Sequence, residues 1–98
     1  QLELENTTIF LARNFHDIIS LIHRVDFVVT PDTSIVHVAS AWNKPTFALY
    51  LGWEYLYWWF RPVSNYNRSV LAPDRSNVSD IDYKIVQNEF EIFLDNLK

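Results

Sequence analysis

The sequence predicts an α/β fold in which helices cover both faces of a parallel sheet. Three observations carry this. Short, continuous apolar runs, "DFVVT" and "TFALY", have the composition of strands buried on both faces. Between and around them, apolar residues recur at helical spacing. The two kinds of segment alternate along the chain, as in a sheet whose strands are linked by helical crossovers.

Each element has its own signal. Thr7 to Leu11 reads as a first short strand. Asn14 is a helix cap with Asp17 three residues on, and Phe15, Ile18, Ile19, Ile22 and Val25 form the apolar face of the helix that follows. His23 and Arg24 fall in its last turn, where cations suit the helix dipole. "DFVVT" is the second strand. A second helix runs from about Thr33 to Trp42, with Ile35, Val38, Ala39 and Trp42 as its buried face. Asn43 supplies a left-handed stop and Pro45 forbids continuation. "TFALY" and, after an aromatic loop, "SVLAP" complete four strands. Ile81, Ile85, Phe90, Phe93, Leu94 and Leu97 give the last helix its apolar face.

The 98 residues, 49% hydrophobic and 20% charged, suit one domain, residues 1–98, with a real core. A net charge of −4 argues against nucleic acid as a partner. No cysteine is present, so neither a disulfide framework nor a thiolate metal site is expected, and a cytoplasmic setting fits. No apolar run reaches the ~18 residues of a membrane span. The chain contains no methionine, from which a fragment of a longer protein is expected.

One corner concentrates chemistry. In "TPDTSIVHVASAWNKP", residues 30–45, a strand ends and a helix begins within a few residues. Asp32 stands where a helix cap belongs. The amides of Thr33, Ser34 and Ile35 then lack helical partners and, with the helix dipole, attract an anion. The Thr33 and Ser34 hydroxyls add donors. His37 lies three and four residues beyond them on the same face, and its side chain leans back toward the helix start. In an open parallel sheet, ligands sit beyond the carboxyl ends of the strands, which is where this corner falls. A phosphate or diphosphate matches these donors. The plainer account is a capped helix with an exposed histidine. The face formed by Ile35, Val38, Ala39 and Trp42 already meets the packing requirement, so His37 is not needed for packing.

Other chemistries are excluded. The chain has no G-x-S-x-G elbow for a serine hydrolase. His16, His23 and His37 lack metal-ligand spacing, so no metal and no other cofactor is expected. A single glycine rules out Walker and dinucleotide-binding loops. The N-x-[ST] matches at Asn6, Asn67 and Asn77 read as chance.

"LIHRVDFVVTPDTSIVHVASAWNKPTFALY" resembles the signature of the heptosyltransferases, the glycosyltransferases of family 9 that build the lipopolysaccharide inner core. The shared pattern is an apolar helix, a strand, D-[TS]-[GS], two residues, H-x-A-x-A, a turn, K-P and another strand. Here His37 is followed by Ala39 and Ala41, then by Lys44 and Pro45. The resemblance implies a GT-B enzyme with two Rossmann-like domains, this chain being part of the C-terminal, nucleotide-sugar domain. It implies an ADP-heptose-like donor whose diphosphate meets Asp32, Thr33, Ser34 and His37, with Lys44 and Gly52 as accessory positions. Arg61, in the aromatic stretch and outside the shared pattern, is a further accessory candidate as a cation able to approach a phosphate. No metal is required. The acceptor, a lipopolysaccharide core or lipid A-type molecule, and the general base belong with the N-terminal domain. No catalytic residue is therefore expected here, and the piece alone should be inactive. Two departures stand out: Ser34 replaces the usual glycine, and Leu51 separates Tyr50 from Gly52.

The stretch "GWEYLYWWFRP" holds three of the four tryptophans. Its aromatics suit covering a sheet end or meeting a second domain. Sugar stacking, or peripheral contact with the inner face of the membrane, is the competing role. The alternative to a transferase is a Rossmann-like nucleotide-sensing or protein-docking module.

Overall fold

The computed structural model describes residues 5–31, 33–50, 61–73 and 80–97. The elements are α1 (Phe15–Arg24), β1 (Val28–Pro31), α2 (Ser34–Ala41), β2 (Thr46–Tyr50), β3 (Asn67–Leu71) and α3 (Tyr83–Asp95). The strands form one sheet in the order β1-β2-β3, and both pairings are parallel. The register sets Val28 beside Thr46 and Thr46 beside Asn67. The α/β, Rossmann-like class expected from the sequence is the one observed: among the described residues, three parallel strands are flanked by three helices.

Side chains of β2 alternate between two packed layers, as the strand period requires. Phe47 and Leu49 face α3, where they meet Val70, Val86, Phe90 and Phe93. Ala48 and Tyr50 point the other way and pack with Val36 of α2 and Leu71. Beside them, Ile22 of α1 and Ala39 of α2 close over Val28. Phe93 is fully buried at the centre of an aromatic group, with its ring 5.0 Å from Tyr66, 5.6 Å from Phe47 and 5.7 Å from Phe27. The Tyr66 hydroxyl also donates to the Phe93 carbonyl at 2.9 Å, tying the start of β3 to α3.

The helix ends follow local chemistry. The Asn14 side chain accepts the Asp17 amide at 3.1 Å, and Asp17 reaches back to the Arg13 amide at 2.9 Å. Two backbone donors at the start of α1 are thereby satisfied. At the end of α2, the Lys44 amide bonds the Ala39 carbonyl at 2.8 Å and the Asn43 amide bonds the Ser40 carbonyl at 2.9 Å. This is a Schellman stop, and Asn43 holds the left-handed φ of 53° that it needs.

Several expectations are corrected. The sheet has three strands among the described residues, not four, because Thr7–Leu11 stays outside it. Ile9, Phe10 and Leu11 are 60%, 49% and 83% exposed, so the segment lacks the two-faced burial that sustains a parallel strand. The last strand begins at Asn67, two residues before "SVLAP", because the Thr46 amide already reaches the Tyr66 carbonyl. Trp42 is 44% exposed and lies against the His23 ring at 4.1 Å instead of entering the core. Ile85 is 53% exposed, and its neighbour Val86 packs inward in its place. The aromatic stretch from 53 to 60 lies outside the described residues.

Candidate functional site

β1 runs into α2 through a turn that places the start of the helix beyond the carboxyl end of the sheet. The cap of α2 is Thr33, with extended backbone at φ −146° and ψ 176°. Its hydroxyl accepts the Ile35 amide at 3.2 Å, and its carbonyl accepts the Val36 amide at 3.1 Å. Two sequence expectations change. The cap falls on Thr33 and not on Asp32, because the Thr33 hydroxyl reaches the second helical amide. The Ile35 amide is not open to a ligand, because that hydroxyl already occupies it. Asp32 itself lies outside the described residues.

The open donors are the amide and hydroxyl of Ser34, which donate to no described residue. Thr33, Ser34 and His37 are all exposed, whereas Ile35 is half-buried and Val36 is buried beneath them. His37 follows Thr33 by four residues, about 6 Å along the helix axis, so one surface carries the cap, the serine and the imidazole. The structure thus brings together Thr33, Ser34 and His37. The helix dipole adds partial positive charge to the same end. Such an arrangement donates hydrogen bonds to an anion.

Of the accessory positions, Lys44 lies away from the cap. Lys44 belongs to the turn that ends α2 and starts β2, at the opposite end of the helix from Thr33. Arg61 is exposed at the head of the segment leading to β3. Two residues on, the Val63 amide donates to the Ser40 hydroxyl in the last turn of α2 at 3.0 Å, tethering this segment at the end away from the cap. Gly52 lies outside the described residues.

Thr30 is a residue that the sequence reading passed over. It is 6% exposed at the end of β1, and its hydroxyl lies 3.2 Å from that of Thr33. A polar residue ending an otherwise apolar strand was the available signal. The sequon at Asn67 is tied into the fold: its side-chain amide donates to the Ser64 carbonyl at 2.8 Å, and the Ser69 hydroxyl is buried. Among the described residues, no three His, Asp or Glu side chains converge as a metal site would need. No helix among them is long and apolar enough to cross a membrane.

No curated protein and no solved structure matches the chain. A family model does, across residues 2–91, and it is that of glycosyltransferase family 9 (heptosyltransferase). The match takes in every strand of the sheet and the whole Thr33–His37 corner, and the chain therefore belongs to glycosyltransferase family 9.

Proposed function

We propose that this chain is the donor-binding part of a heptosyltransferase acting in lipopolysaccharide core biosynthesis. The observation that carries the reading is the exposed corner of Thr33, Ser34 and His37 at the carboxyl end of a parallel strand, in a chain of this family. The donor is an ADP-heptose-like nucleotide sugar. Its diphosphate lies over the start of α2, where the Ser34 amide and hydroxyl and the His37 imidazole offset the charge of the leaving nucleotide without a metal. Asp32 joins this group through the shared motif.

Residues 1–98 form one unit within the C-terminal domain of a two-domain GT-B enzyme. The other domain brings the lipopolysaccharide core or lipid A-type acceptor and the general base, so this chain alone transfers no sugar. The enzyme works in the cytoplasm, at the inner face of the membrane where such an acceptor is presented.

The test is a transfer assay with the complete enzyme, a heptose-deficient core acceptor and a panel of nucleotide sugars. Transfer from ADP-heptose is expected, with none from residues 1–98 alone. Preference for another donor would overturn the donor assignment. Transfer by the isolated chain would overturn the two-domain division.

A further inference from the structure

The hydroxyls of Thr30 and Thr33 differ in what they have left to offer. A hydroxyl carries one proton. That of Thr30 donates to the Pro31 carbonyl at 3.0 Å. With that proton on Pro31, Thr33 is the donor and Thr30 the acceptor in the 3.2 Å contact between the two threonines, a contact whose geometry alone admits either direction. Thr33 also accepts the Ile35 amide. Its proton is engaged on one side and its lone pair on the other. The neighbouring hydroxyl, on Ser34, is exposed and donates to no described residue.

We propose that Thr30 is a positioning residue for the donor site: by accepting the Thr33 proton it fixes Thr33 as the helix cap and leaves Ser34 as the hydroxyl that meets the anion. The ligand half of this statement rests on the donor reading above. The positioning half does not. The motif alone gives Thr33 and Ser34 equal standing, whereas the hydrogen bonds separate them. Burial explains why the device holds. Thr30 is 6% exposed, so water competes weakly for its oxygen.

The test compares Thr30→Val, which removes the hydroxyl at nearly constant shape, with Thr30→Ser, which keeps it. The first readout is amide hydrogen exchange without ligand. Ile35 should exchange about five- to tenfold faster in Thr30→Val, the size of effect expected when a cap is weakened. Thr30→Ser should restore protection. The Phe47 amide, in the central strand, serves as the control for an intact sheet. Unchanged protection of Ile35 in Thr30→Val overturns the positioning role. Should Phe47 also accelerate, the decision passes to the wild type. There, three-bond couplings should show one fixed Thr33 side-chain rotamer, and rotamer averaging overturns the proposal.

The second readout is ADP affinity. Ser34→Ala and Thr30→Val should each weaken binding several-fold, and Thr30→Ser should bind as the wild type does. Full affinity in Ser34→Ala overturns the assignment of Ser34. A wild type that does not bind ADP overturns the donor reading instead, and the exchange experiment then decides the role of Thr30 alone.

Discussion

The side-chain carbonyl of Asn43 accepts the backbone amide of Asn65 at 2.7 Å, across 22 positions of sequence. The same residue ends α2 with a left-handed φ of 53°. One turn earlier, the Ser40 hydroxyl accepts the Val63 amide. The end of α2 thus holds the segment that leads into β3, while the start of α2 carries Thr33, Ser34 and His37. A helix of eight residues connects the two ends. Its placement is set by backbone capping at one end and by two side-chain tethers at the other.

Asn43 performs two tasks that substitution can separate. Asn43→Gly keeps the left-handed turn and loses the bond to Asn65. Asn43→Ala loses both, because a Cβ disfavours positive φ by roughly 1–2 kcal/mol. Part of that difference is offset by the larger conformational freedom of an unfolded glycine. Urea denaturation should place both variants below the wild type, with Ala below Gly by about 0.5–1 kcal/mol. The reverse order would show that the turn holds no backbone strain.

Phe93 is the central side chain beneath the α3 face, fully buried and in ring contact with Tyr66, Phe47 and Phe27. Phe93→Ala should destabilise the protein by about 3–5 kcal/mol, the usual result of emptying such a site. Tyr66→Phe removes only the bond to the Phe93 carbonyl and should cost about 0.5–1.5 kcal/mol. Denaturation midpoints measure both. Similar small losses in the two variants would mean that this aromatic group is not the core.

Legibility followed the strength of the local signal. The β2 run "TFALY" was readable to the residue because both of its faces are buried and every position is apolar or β-branched. The stop at Asn43 and the cap at Asn14 were readable because each needs one residue type in one place. Thr7–Leu11 misled because strand composition cannot tell whether a neighbouring strand is available. Trp42 and Ile85 have the right periodicity but sit at the margins of their helix faces, where position relative to the sheet decides burial. At the corner, the motif located Thr33, Ser34 and His37 but not their division of labour. Which of two adjacent residues caps a helix depends on backbone angles and on a buried partner, Thr30, contributed by the preceding strand.

Arg68 of β3 and Glu89 of α3 form an ion pair with side chains 38% and 30% exposed. Solvent screens such a pair, so its coupling should be small. A double-mutant cycle with Arg68→Ala and Glu89→Ala should return about 0.2–1 kcal/mol, falling as salt is added. A coupling of several kcal/mol, insensitive to salt, would show that the pair is shielded from water far more than its exposure indicates.

His37 provides the most direct test of the donor site. It stands one helical turn beyond the Thr33 cap, exposed, while the apolar face of α2 packs without it. Replacing it by alanine empties no core site, since the clusters around α2 do not include it. Alanine is also a good helix former, so any loss of stability should be small beside that of a core truncation. If the imidazole donates to a bound diphosphate, the substitution deletes one hydrogen bond to a charged group. ADP affinity should then fall by about 1–2 kcal/mol, roughly five- to thirtyfold. Thr33→Ala should behave differently. It removes the cap, so it should lower stability by about 0.5–2 kcal/mol and weaken ADP binding by disordering the amides it leaves behind. Titration of the complete enzyme with ADP, beside a denaturation curve for each variant, separates the two effects. Loss of affinity at constant stability assigns His37 to the ligand. Unchanged affinity in His37→Ala would leave α2 a capped helix and move the diphosphate elsewhere in the protein.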